Sequence, residues 1–183
     1  MTKVKIVVIG DGGIGKTSLL VTYSTDAFPT KHVPTVFDNY EDDVTVDGHI
    51  IKMELWDTAG QEEYDRLRPI CYKNCDAFVV CFSIKDPSSL EHIKSKWIPE
   101  IHKFQSGVPW ILVGTKADLR DSASASTHEY VQTDVAKKLG VELGAEQFLE
   151  CSAKTQAGLK DVMINAAKVA KAQRKSSKKC ILL

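Results

Sequence analysis

The sequence predicts an α/β fold, a mostly parallel sheet with one antiparallel strand. Three observations predict it. Short apolar runs alternate with segments of helical spacing along the 183 residues. Two alternating runs within 40–58 are split by Asp47-Gly48, a strong local hairpin signal. The first apolar run passes directly into the glycine-rich stretch GDGGIGKT at 10–17, which opens a helical segment.

Each element follows in order. KVKIVVIG (3–10) is a continuous apolar run, as expected of a strand covered on both faces. KTSLLVTYST (16–25) has helical spacing. The hairpin occupies 40–58, and DAFVVCFSI (76–84) and VPWILVGT (108–115) are further buried strands. SLEHIKSKWIPEIHKF (89–104) is amphipathic, with Pro99 expected to bend or interrupt it. TDVAKKLG (133–140) is a helix ending on a glycine, and EQFLECS (146–152) is a last short strand. LKDVMINAAKVAKAQRK (159–175) is a long helix with a small-residue face. DSASAST (121–127) is a loop, with Ser126 and Glu129 spaced as a capping box. Beyond Lys171 the chain is polar and basic until its last three residues, and reads as a flexible tail.

Composition narrows the function. The length suits one domain, and 43% hydrophobic residues can fill a core. Basic and acidic residues balance at 24 each, so overall charge points to no nucleic-acid partner. No stretch reads as a signal peptide or is long and apolar enough to span a bilayer. Five cysteines and five histidines show no disulfide or zinc spacing. Cys71, Cys75, Cys81 and Cys151 read as small core residues of a reduced protein.

GDGGIGKT fits G-x-x-x-x-G-K-[ST] between a strand and a helix, the context that motif requires. Its amide N–H groups can curl around a polyphosphate at a helix N-terminus. Lys16 is placed to bridge β- and γ-phosphates, and Thr17 to offer a hydroxyl to Mg²⁺. TKAD (115–118) ends the fifth strand. A carboxylate only accepts, so Asp118 matches the two N–H donors of guanine and repels the acceptor of adenine. The Lys116 stem can cover the base. In SAK (152–154) the Ala153 amide is a donor for guanine O6. In WDTAGQ (56–61), Asp57 suits a hold on Mg²⁺ through water. Gly60 lets its amide approach a γ-phosphate, and Gln61 can orient an attacking water. Thr35 is the candidate second hydroxyl on Mg²⁺, and Phe28 a candidate wall for the base edge. Three classes stay open on these residues: a hydrolysing switch, a binding module that no longer hydrolyses, and a P-loop kinase or ATPase, against which Asp118 argues.

Taken in order, GDGGIGKT, PTVFDNY, DTAGQEEYDRLRP, KWIPEI, VGTKADLRD and ECSAK resemble a Ras-superfamily small GTPase of the Rho/Rac family. The resemblance covers nearly the whole chain. It implies a P-loop GTPase (Ras-like) fold, with a six-stranded sheet flanked by five helices, and a GTP/GDP cycle with Mg²⁺. It implies nucleotide contacts at Gly12, Gly13, Ile14, Gly15, Lys16, Thr17, Ser18, Phe28, Thr35, Asp57, Gly60, Thr115, Lys116, Asp118, Ser152, Ala153 and Lys154. Gln61, Lys16, Gly60 and Thr35 are the residues expected to act in hydrolysis. Thr30–Tyr40 and Gly60–Tyr72 are implied as the two switch segments. Partners implied are exchange factors, GTPase-activating proteins, dissociation inhibitors and actin-regulating effectors, acting on a monomer. No arginine is placed by a motif to act in cis. A partner's arginine is expected to add about 10³–10⁵ in rate, a factor measured on Ras-type proteins themselves.

Two departures stand out. His32 replaces the usual tyrosine, and the Arg120–Ala136 stretch is about ten residues too short for the family's extra helix. Trp56 follows the Rac- and Rho-like pattern at a position tied to exchange-factor choice. At the C-terminus Cys180-Ile181-Leu182-Leu183 is a C-a-a-X signal, and the final leucine favours geranylgeranyl. Arg174, Lys175, Lys178 and Lys179 supply the second, electrostatic signal that one lipid chain needs. The expected organisation is a G domain over 1–172 and a prenylated polybasic tail over 173–183, dividing between cytosol and the inner face of the plasma membrane.

Overall fold

The computed structural model describes residues 2–30, 37–121 and 129–180. Strands β1 (Thr2–Ile9), β2 (Phe37–Val46), β3 (His49–Thr58), β4 (Ala77–Ser83), β5 (Trp110–Thr115) and β6 (Gln147–Glu150) form one sheet, in the order β2-β3-β1-β4-β5-β6. Among the described residues only β2 and β3 pair antiparallel. Their hairpin turns at Asp47 (φ 51°) and Gly48 (φ 73°). Two successive positive φ angles match the right-handed twist of the strands, which is why Asp-Gly stands there.

The helices are α1 (Lys16–Thr25), α2 (Pro87–His92), α3 (Ile98–Phe104), α4 (Ala117–Asp121), α5 (Thr133–Leu143) and α6 (Leu159–Cys180). Helices α2 and α3 are one continuous rod joined by a π turn at Ile93–Trp97, so five helical bodies flank the sheet among the described residues. Pro99 lacks an N–H and crowds the carbonyl four residues back; a wider turn just ahead of it absorbs the conflict without breaking the rod.

The core lies in two layers. One face of the sheet packs Val4, Ile6, Val8, Met53 and Val79 against Leu19 and Leu20 of α1 and Ala166, Ala167 and Ala170 of α6. The small residues let α6 lie close to the strands. The other face packs Val7, Phe78, Val80 and Leu112 against Ile93, Trp97 and Ile101 of the rod and Ala136 of α5. Cys71, Cys75, Cys81 and Cys151 are buried free thiols.

Three boundaries differ from the sequence reading. Helix α5 runs past Gly140 and ends at Gly144, which takes the left-handed conformation (φ 83°) that a helix stop favours. Gly140 is buried instead against Leu112, where a side chain would press on the strand. The final helix is continuous to Cys180, past the point where a flexible tail is expected; Lys, Ala, Gln and Arg there are good helix formers. The loop at 61–72 carries two short 3₁₀ turns, Glu62–Tyr64 and Arg68–Tyr72. His32, Thr35 and Ser126 lie outside the described residues, as do Ile181, Leu182 and Leu183.

Candidate functional site

The C-terminal ends of β1, β3, β4, β5 and β6 come together at one edge of the sheet, where open α/β sheets bind ligands. The glycine-rich loop 10–15 leaves β1 there and opens α1. Gly15 caps that helix with φ 104°, a left-handed conformation that suits glycine.

Lys16 is 5% exposed, and its Nζ donates to the carbonyls of Gly10 and Asp11, both at 2.7 Å. Burial pushes its pKa down to about 8, against the pull of Asp57 and Asp11. The Thr17 hydroxyl donates to Asp57 Oδ2 at 2.5 Å, and Asp57 is fully buried at the end of β3. A hydroxyl and a carboxylate thus meet beside the lysine, a set of hard oxygen donors. Among the described residues there is no cluster of three or more His, Cys, Asp or Glu side chains that could hold a metal ion by themselves.

Gly60 sits against the glycine-rich loop. A Cβ there would overlap the Gly10 carbonyl and the main chain of Asp11 and Gly12. The sequence reading asked for a glycine to admit a phosphate; the structure adds main-chain contact between the two loops. A Cβ on Gly12 would lie 3.3 Å from the side chain of Gln61, which is exposed beside it.

A cavity of about 180 Å³ adjoins this loop. Gly15, Ser18, Phe28, Thr115, Lys116, Asp118, Ala153 and Lys154 line it, with Leu19, Leu119 and Cys151. Phe28 is 47% exposed and forms a wall, not part of the core. Lys116, in the left-handed region (φ 62°), lays its stem along the cavity and donates from Nζ to the Gly13 carbonyl at 2.8 Å. Burial, then nearby Lys85, lowers its pKa. Thr115 Oγ1 lies 2.5 Å from the Ile14 carbonyl and 3.0 Å from that of Phe82, tying β5 to the loop. Ser152 is not in the lining; its hydroxyl donates to Asp118 Oδ1 at 2.6 Å and aligns that carboxylate.

The family is decided by comparison. A Ras-family model matches residues 5–172. The Rho-related GTP-binding protein RhoB of Homo sapiens is 47% identical over 179 residues, 94% of this chain and 91% of that protein. RhoB of Mus musculus matches to the same extent. The chain belongs to the Rho branch of the Ras family. It is a GTP-hydrolysing switch with the Ras-like P-loop GTPase fold.

Several residues that shape this GTPase's site escaped sequence reasoning. Asp11, inside the glycine-rich loop, accepts from Trp97 Nε1 at 2.8 Å and pairs with His92 Nδ1 at 2.5 Å. Arg68 is fully buried. It grips Glu100 twice, at 2.9 and 2.7 Å, pairs with Asp65 at 2.5 Å and donates to the Ala59 carbonyl at 2.9 Å. Burial works to lower its pKa, yet the bonds to Glu100 and Asp65 outweigh it and the pKa is raised. Tyr72 also donates to Glu100, and burial drives its phenol pKa up. Asp11 was visible as the one charge among the glycines, and Trp97 and Glu100 lie within KWIPEI; nothing local linked them.

Proposed function

We propose that Gly12–Ser18 cradle the phosphates of GTP, that Asp118 reads the guanine, and that Gln61 orients the attacking water. The alignment of Asp118 by Ser152 on the cavity wall is the observation that carries this reading. Lys116 and Phe28 then flank the base, Lys154 closes the rim, and the Ala153 amide faces O6.

Thr17 and Asp57 fit Mg²⁺, Asp57 through water, with Thr35 as a further ligand from outside the described segment. When bound, the ion supplies charge neutralisation to the phosphate oxygens. Lys16 adds a second positive charge, which bound phosphates keep protonated. Gln61 stands beside Gly12 with no side chain between them, so it can reach a water in line with the γ-phosphate. Loss of that phosphate frees Gly60 and Thr35, and the switch segments relax. Effectors that regulate actin, exchange factors, activating proteins and dissociation inhibitors are then sorted by nucleotide state.

Cys180 is a geranylgeranylation site, and Lys175, Lys178 and Lys179 draw the chain to an anionic membrane; Arg174, counted with them from the sequence, is instead paired with Asp76. No helix among the described residues is long and apolar enough to cross one.

The test is base exchange. Asp118→Asn should weaken GTP and favour xanthosine triphosphate, whose C2 substituent accepts where guanine donates. Unchanged GTP affinity would remove Asp118 from the base site. For the tail, Cys180→Ser should leave the protein wholly soluble on fractionation; retention at the plasma membrane would rule out the lipid anchor.

A further inference from the structure

We infer that His92 and Trp97 are positioning residues for nucleotide binding, a pair of donors that the π turn brings onto one face to hold the Asp11 carboxylate off the phosphates. In an α-helix, residues five apart point about 140° away from each other. Here the turn at Ile93–Trp97 is widened, and the Ile98 N–H closes on the Ile93 carbonyl five residues back. One added residue per turn brings positions five apart onto nearly the same side. His92 precedes this turn and Trp97 ends it. Both reach the same carboxylate, Trp97 at Oδ1 and His92 at Oδ2.

The carboxylate needs such a hold. Asp11 stands within a loop that collects amides and a lysine around an anion. Its own carbonyl accepts from Lys16 Nζ, and its negative charge is among those felt by that ammonium. An unmatched negative charge at this point repels polyphosphate and competes for Lys16. Two N–H donors satisfy both oxygens, and an imidazole N–H can do so whether the ring is neutral or charged. Trp97 is fully buried and fixed by the Arg68 guanidinium over its ring at 4.6 Å, whereas His92 is half exposed and serves as the outer clasp. The same rod holds the 61–72 segment through Glu100 and Arg68, so one element references both the glycine-rich loop and the loop that follows Gly60.

The experiment measures release of a fluorescent GDP analogue from the full-length, Mg²⁺-loaded protein, with thermal unfolding in parallel. His92→Leu should speed release about two- to fivefold, the size that a half-exposed charged contact supports. His92→Asn, which keeps an N–H near the Nδ1 position, should restore most of the wild-type rate. In an Asp11→Asn background the charge is gone, and His92→Leu should add no further change. If His92→Leu fails to fold, His92→Ala takes its place in both backgrounds. Wild-type release from His92→Leu, failure of Asn to rescue, or an equal acceleration in the Asp11→Asn background would each overturn the inference.

Discussion

Replacing Arg68 by methionine tests how the loop after Gly60 is held. The substitution removes two bonds to Glu100, one to Asp65 and one to the Ala59 carbonyl, all from a fully buried side chain. Removing one partner of a buried pair costs about 3–5 kcal/mol, because the other charge stays desolvated. Asp65 keeps Lys96 at 3.2 Å, and Glu100 keeps the Tyr72 hydroxyl, which puts the loss at the lower end. A domain of this size moves its melting temperature by about 2–4 °C per kcal/mol, so a loss of about 3 kcal/mol lowers it by about 6–12 °C. The assay is thermal unfolding at a fixed excess of GDP, since bound nucleotide itself adds stability. The double variant Arg68→Met with Glu100→Leu removes the stranded carboxylate and should recover much of the loss. A single variant within about 2 °C of wild type, or a double variant less stable than the single, would refute the reasoning.

Gly60→Ala places a methyl into the Gly10–Gly12 main chain, so it should retain GDP but hydrolyse GTP about 10²-fold more slowly, the penalty of an ångström-scale misplacement; single-turnover phosphate release checks this. Gly12→Val should likewise keep nucleotide while displacing Gln61, and hydrolysis at the wild-type rate would remove Gln61 from its role. Burial pushes Cys75 and Cys151 up to about 12 and also raises Cys71 and Cys81. Burial both disfavours the thiolate and shields the sulfur from reagent, so none of these four should label with a thiol reagent at pH ~8 until denaturant is added. Rapid labelling of any one, followed by peptide mapping, would contradict its buried placement.

Strand and helix periods carried most of the fold, because each buried strand is apolar along its own length and needs no distant information. The glycine-rich loop was legible for the same reason: its four glycines, lysine and threonine fall within eight successive positions. What stayed hidden depends on partners far apart in sequence. Asp11 and Trp97 are separated by 86 positions, and Arg68 and Glu100 by 32. Pro99 signalled a disturbance in its helix, but not that a widened turn would absorb it. The stop of α5 was misplaced at Gly140 because a glycine against a strand and a glycine ending a helix look alike in sequence; Leu112 beside the first and the left-handed φ of Gly144 distinguish them.

Helix α6 starts just after the loop of Ser152–Lys154 and runs 22 residues, about 33 Å at 1.5 Å per residue. Near its far end Arg174 pairs with Asp76 at 2.8 Å, and Asp76 immediately precedes β4, at the edge of the sheet opposite the nucleotide cavity. A tether fastened to the end of this helix would therefore grip the molecule by the pole away from that cavity. If Cys180 carries the proposed lipid, that cavity would stay open to solution while the chain is held.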